Sequence, residues 1–227
     1  MEAEIKDNNQ ATYPAQYETE AVLNDGSAMI FRPIKPDDVE LFLAFLSRLG
    51  PDSQYVWLHH IPTQMTPEDA QRFCTIDYKN SFILVGEVLK QKTKQIVAVG
   101  RYYRLPRKNS AEVAIVIDDA YRRKGIGTRL IENLVNAAHD NDISTFEADV
   151  SSKNDDILAL LKGYGYHVAR QLEGNALHVA FPIAPTRNVM RREEERDRVS
   201  TIASIRHLLS PKSVALIGAS RYPGTIG

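Results

Sequence analysis

Residues Ala111–Arg129, AEVAIVIDDAYRRKGIGTR, constrain the fold of this chain more than any other segment. Val113, Ala114, Ile115, Val116 and Ile117 form an apolar run rich in β-branched residues, which suits a covered strand. Arg122-Arg123-Lys124-Gly125-Ile126-Gly127 follows, and then an amphipathic stretch over Thr128–His139 with Leu130, Ile131, Leu134 and Val135 on one face. A strand that enters a helix through glycines lets backbone N–H groups close around phosphate oxygens. Arg122, Arg123, Lys124 and Arg129 crowd that spot and favour a polyanionic ligand, while Glu112 stands at the other end of the strand. An anion cradle and a carboxylate on one strand imply a phosphate-bearing cofactor held beside a proton acceptor.

Related glycine loops do not fit. No Lys-Ser or Lys-Thr follows the second glycine, so this is not a Walker loop. Gly127 is followed by Thr128, Arg129 and Leu130 with no third glycine, so it is not the dinucleotide fingerprint. The bulk properties exclude other classes. A chain of 227 residues, 43% hydrophobic and of net charge −1, has ample core and no charge bias toward nucleic acid or acidic membranes. The single Cys74 excludes an intramolecular disulfide and fits a reducing compartment. The polar opening MEAEIKDNNQ and the lack of a long apolar run predict a cytoplasmic protein. His59 and His60 are adjacent and lack acidic or cysteine partners at ligand spacing, and His139, His167, His178 and His207 are isolated. No metal is therefore expected.

Residues 1–20 lack periodicity and read as a flexible tail. A strand is expected over Ala28–Ile34, and a helix from Pro36 with Leu41, Phe42, Phe45, Leu46 and Leu49 at helical spacing. A second helix begins at Thr66-Pro67-Glu68-Asp69, with Thr66 as cap. Strands follow over Phe82–Leu89 and Ile96–Leu105 around a polar turn, Lys90–Gln95, and then comes the opening strand and helix. Thr145–Val150 reads as a strand, Asn154–Lys162 as a helix, and Tyr166–Arg170 with Ala176–Phe181 as a closing strand pair. Cys74 is expected in the core, and Asp118 and Asp119 as turn residues. The mixed-sign run Met190–Arg198 reads as a solvated linker helix, and Ser213–Gly227 restarts a strand-to-glycine-loop pattern.

The loop at Arg122, Gly125 and Gly127 resembles the acyl-CoA loop of the GNAT N-acetyltransferase superfamily, (Gln/Arg)-x-x-Gly-x-(Gly/Ala). That resemblance implies an α+β fold of α/β/α layers, with a mixed, mostly antiparallel sheet whose strands splay apart at mid-sheet. The cofactor implied is acetyl-CoA. The backbone of Ile115, Val116 and Ile117 would bind the pantetheine arm, and Arg122, Arg123, Lys124, Gly125, Ile126, Gly127 and Thr128 the pyrophosphate. Asn154 would contact the cofactor as well as cap its helix. Where the superfamily commonly has a tyrosine that protonates the leaving thiolate, this chain has Leu161; either no acid is needed or Tyr164 takes its place.

An amine acceptor needs a base. A lysine of pKa near 10.4 is neutral in about 0.04% of molecules at pH 7, a deficit of roughly 4.6 kcal/mol. From spacing alone Glu112 is equally a surface charge at a strand end or a base relieving that deficit. Resemblance favours the base, because Glu112 holds the place of the catalytic glutamate in bacterial Pat-type protein lysine acetyltransferases. The segment MIFRPIKPDDVELFLAFLSRLGPDSQY is similar to the opening of that group, and the GNAT resemblance implies that Tyr55 and Trp57 in RLGPDSQYVWLHH, between its first two helices, pack beside the acceptor groove. Ser213–Gly227 resembles the start of the CoA-binding domain of ADP-forming acyl-CoA synthetases. The implied organisation is a tail over 1–20, an acetyltransferase domain over 21–185, a helical linker over 186–210, and the start of a truncated Rossmann-like CoA-binding domain over 211–227. The implied partner is a protein substrate, an AMP-forming acyl-CoA synthetase acetylated on its catalytic lysine. An acyl-CoA sensor without catalysis and a small-amine acetyltransferase are the alternatives.

Overall fold

In a computed structural model, residues 11–23, 26–50, 53, 65–106, 109–151, 169–173 and 176–184 are described, together with 191, 194, 195, 198 and 202. Eight strands form one sheet: β1 (Thr19–Val22), β2 (Ala28–Pro33), β3 (Ser81–Lys90), β4 (Thr93–Arg104), β5 (Ser110–Ile117), β6 (Thr145–Ser151), β7 (Ala169–Glu173) and β8 (Ala176–Pro182). Their order is β1-β2-β3-β4-β5-β6-β8-β7, and every neighbouring pair is antiparallel except β5–β6. Three described helices cover it: α1 (Val39–Arg48), α2 (Pro67–Cys74) and α3 (Ile126–Asp140).

The helices are placed by the signals their sequences carry. Pro36, Asp37 and Asp38 form a tight turn that feeds α1, and its Phe42 and Phe45 are buried against the sheet. Thr66 caps α2 reciprocally with Asp69, their side chains accepting from each other's backbone N–H groups. The Phe42 and Phe73 rings stack with centroids 4.5 Å apart and tie α1 to α2. Both helices cover one face, over Ile34, Ile83, Val85, Val99 and Val116. The opposite face packs on α3, whose Leu130, Ile131, Leu134 and Val135 fall along one stripe. Gly100 on β4 permits this close approach, since a Cβ there would lie 3.0 Å from Leu134.

Two expectations need correction. Residues 13–20 are no loose tail: the Tyr17 ring packs edge-on against Phe82 at 5.1 Å, its hydroxyl donates to Asp140 at 2.6 Å, and Thr19–Val22 pair with β2. Exposed side chains alternating with two half-buried tyrosines give no periodicity to read. The turn between β3 and β4 is also shorter than Lys90–Gln95. Only Gln91 and Lys92 lie outside the ladder, at φ of 51° and 68°, and Lys90 pairs with Thr93. Hairpin ends protrude into water, so polar residues continue as strand there. Among the described residues the closing strand spans Ala169–Glu173; Tyr166, its expected start, lies outside them. The expected helix Asn154–Lys162 and the segment Ser213–Gly227 lie outside the described residues, while Arg191, Glu194, Glu195, Arg198 and Ile202 are helical and exposed.

A buried ion cluster anchors the β2–α1 corner. The Arg32 guanidinium donates to both Asp38 oxygens, at 2.6 and 2.8 Å, and to Glu87 Oε2 at 2.7 Å. Lys94 approaches the other Glu87 oxygen at 3.1 Å. Two carboxylates beside one guanidinium hold Arg32 even more firmly charged than usual, against the opposing cost of its burial.

The feature that makes a site is a fork. The parallel pairing of β5 with β6 is confined to Ser110↔Thr145, Ala111↔Phe146 and Glu112↔Glu147. Beyond it β5 continues to Ile117 along β4, and β6 continues to Ser151 along β8. The mid-sheet splay expected from the resemblance is therefore present, and Glu112 stands at its apex.

Candidate active site

Backbone direction decides which parts of β5 face the fork. The Ser110 carbonyl accepts from Leu105 and the Asp118 N–H donates to Val97, so even-numbered residues of β5 turn their peptide groups toward β4. Backbone groups alternate along a strand. The N–H and C=O of Val113, Ile115 and Ile117 therefore face the gap, where β6 no longer pairs with them. Of the three residues expected to hold a pantetheine arm, Ile115 and Ile117 offer free backbone edges. Val116 does not: its backbone belongs to the β4 ladder and its side chain to the core.

The loop after β5 is built from two acids with different tasks. Asp118 is buried, accepts from the Ala120 N–H at 3.1 Å and receives Arg48 Nε at 3.1 Å, which secures the turn. Asp119 is exposed and accepts from Arg122 at 2.9 Å and from the Ser53 hydroxyl at 3.1 Å. Arg122 also donates to Ser53 at 2.7 Å, tying the loop to the segment that follows α1. Gly125 then adopts φ 84°, a left-handed conformation that favours glycine, and α3 begins at Ile126.

The first turn of α3 contains no acidic residue, and no side chain caps it. Its leading N–H groups, at Ile126, Gly127 and Thr128, have no intrahelical acceptor and carry the positive end of the helix dipole. Arg123 is exposed, and the Lys124 ammonium lies over the Tyr121 ring at 5.1 Å. Arg129 instead turns back to Glu132 at 3.0 Å. An open strand edge leading to an uncapped helix start suits an elongated ligand with an amide-bearing arm and a phosphate end, as acetyl-CoA has.

On the face covered by α1 and α2, Glu112 lies between two neighbours at its own level: Tyr103 across the β4 pairing and Glu147 across the β5 pairing. Glu112 is half-buried. Burial pushes the Tyr103 hydroxyl above its ordinary range, opposed by Arg101 and assisted by the charge of Glu112. The Arg101 guanidinium lies 5.0 Å from the Tyr103 ring centroid. From β6 and β8 come Glu147, Asp149 and His178. The His178 Nδ1 is 2.8 Å from Asp149, and Nε2 is 3.5 Å from Glu147.

That last group corrects the view of His178 as isolated. Glu147 and Asp149 alternate on one strand, which places both on one face, but only the β6–β8 register sets His178 opposite Asp149. Asn154, Leu161, Tyr164, Tyr55, Trp57, His59 and His60 lie outside the described residues. Among the described residues no three His, Cys, Asp or Glu side chains gather in a metal-holding arrangement, and no helix is long and apolar enough to cross a membrane.

Known proteins agree with this architecture. The chain is 26% identical over 119 residues to an acetyltransferase of Pseudomonas aeruginosa, a match covering 52% of this chain and 64% of that protein, less than two thirds of its length. It superposes on the GNAT domain of PAT from S. lividans with a TM-score of 0.68 and 26% identity, over 75% of this chain and 99% of that one. A cAMP-binding acyltransferase from Mycobacterium smegmatis shares the fold, with a TM-score of 0.52 and 21% identity over 85% of this chain and 56% of that one. Residues 49–166, a little over half of the chain, match the acetyltransferase (GNAT) family. The chain thus belongs to the GNAT family of N-acyltransferases, which take their acetyl group from acetyl-CoA.

Proposed function

We propose that this chain acetylates lysine side chains of a protein, with an AMP-forming acyl-CoA synthetase as the leading acceptor and Glu112 as the general base. The observation that carries the reading is Glu112 at the apex of the fork, half-buried and level with the end of the β5–β6 pairing. In this reading the Ile115 and Ile117 backbone edges orient the pantetheine arm, and Arg122, Arg123, Lys124 and the start of α3 at Gly125–Thr128 hold the pyrophosphate. Val116 supports the strand from within the core. Glu112 removes a proton from the acceptor, directly or through water, so that a neutral amine reaches the thioester carbonyl. Likeness to the S. lividans PAT domain supports a protein acceptor, since the match spans nearly all of that domain.

The test is incubation of the full chain with acetyl-CoA and an AMP-forming acyl-CoA synthetase, with Glu112→Gln in parallel. Acetylation of the synthetase at a lysine, lost in the variant, is the expected result. Acetyl-CoA binding without turnover on any protein or amine would overturn the reading in favour of a sensor. Turnover of small amines alone would replace the protein acceptor but keep the base.

A further inference from the structure

Acetylation of an ammonium group leaves a proton to dispose of. The N–C bond forms, the C–S bond breaks, and two protons leave nitrogen: one ends on the CoA thiol and the other in solvent. A half-buried base at the apex of a fork can take that second proton, but it must pass it on before the next turnover.

From this geometry we propose that Glu147, His178 and Asp149 are that exit, with Glu147 receiving the proton from Glu112 and His178 handing it to Asp149 at the surface. The proposal rests on Glu112 being the base. Glu112 and Glu147 are paired across the parallel ladder and project to the same face from backbones about 5 Å apart. His178 stands between the two acids of β6, with Nε2 3.5 Å from Glu147 and Nδ1 2.8 Å from Asp149. An imidazole can accept a proton on one nitrogen and release another from the second, and it does so near neutral pH. Side-chain exposure rises along the row, from 16% at Glu147 to 33% at His178 and 55% at Asp149. That gradient runs from the fork to water.

Other charged or titratable groups face this row. On the described strands nearest to it these are Arg101 and Tyr103 of β4 and Glu112 of β5, while Gln171 and Glu173 of β7 occupy the register positions opposite His178 and Ala176. Arg101 and Tyr103 lie on the β4 side of Glu112, away from the path. A staple holding β6 to β8 is the competing role for the same three side chains, and it makes different predictions.

The test uses the full chain with acetyl-CoA and two acceptors, an AMP-forming acyl-CoA synthetase and Nα-acetyl-lysine methylamide. His178→Ala is expected to lower kcat about tenfold or more with little change in either KM. Added imidazole should restore most of the loss, and the pH profile of kcat should change shape. Glu147→Gln should lower kcat similarly without rescue by imidazole. An unchanged kcat, or a loss that imidazole does not recover and that tracks a lower Tm, would overturn the relay and leave the staple. If the unsubstituted chain acetylates neither acceptor, the reading of the enzyme fails on its own. The relay is then decided by NMR titration of the His178 ring, which Glu112→Gln must displace if the row is connected and leave unmoved if it is not.

Discussion

Glu112 and Glu147 are the last residues at which β5 and β6 remain paired, and both side chains project to the α1–α2 side of the sheet. Below them the parallel ladder is closed. Above them the backbone edge of Ile115 and Ile117 is open. One position therefore joins an unpaired strand edge to a half-buried carboxylate.

Glu112→Gln keeps the size and polarity of the side chain and removes its basicity. The expected outcome is a fall in kcat/KM of about 10²–10³-fold with the Kd for acetyl-CoA unchanged. Steady-state kinetics and calorimetry on the same preparation check both halves.

Gly125→Val forces a β-branched residue to adopt φ 84°. A non-glycine residue in that conformation costs about 1–2 kcal/mol, more when branched. Urea denaturation should register the loss, and acetyl-CoA should bind more weakly because the turn presents the start of α3.

Arg32→Met removes the cation shared by Asp38 and Glu87, both of them buried. Stranding buried Asp38, and leaving Glu87 with Lys94 alone, costs about 3–5 kcal/mol. The urea midpoint should fall accordingly, while a fold that survives should still bind acetyl-CoA, because the cluster lies away from the fork.

Alkaline pH should destabilise the chain progressively. Burial raises the Cys74 thiol from 9.0 to about 12, and burial with the Asp140 contact raises the Tyr17 hydroxyl from 10.0 to about 12. Both folded values lie above the unfolded ones, so the fold favours the neutral forms. Their contribution is complete below pH 9 for Cys74 and below pH 10 for Tyr17, and is lost as pH rises toward 12. Urea midpoints measured from neutral pH upward should decline across that window, and Cys74→Ala should remove the part that starts near pH 9.

Tyr17→Ala should destabilise the chain by about 1–2 kcal/mol, by removing a half-buried ring from Phe82. Tyr17→Phe keeps the ring and loses only the bond to Asp140, for about 1 kcal/mol or less. Thermal melts of the pair separate packing from the hydroxyl.

Much of this architecture was legible in the chain because its signals are local. The apolar run of β5, the glycine at the start of α3, the Thr66–Asp69 cap and the stripe of α3 each depend on residues a few positions apart. Glu112 could be singled out for the same reason, as an acid on the strand that leads to the glycine loop. The hairpin ends and the tyrosine strap at residues 13–17 were not legible, since short polar segments pack through one or two side chains and show no period.

By itself, then, the sequence determined the strand, the glycine loop and the helix that follows, because backbone conformation is set by nearest neighbours. Tertiary structure alone decided that β5 and β6 part after Glu112, that Val116 turns its backbone to β4 while Ile115 and Ile117 face the gap, and that His178 lies between Glu147 and Asp149. Those relationships depend on register between strands distant in the chain, and register is chosen by how whole faces of the sheet pack against their helices.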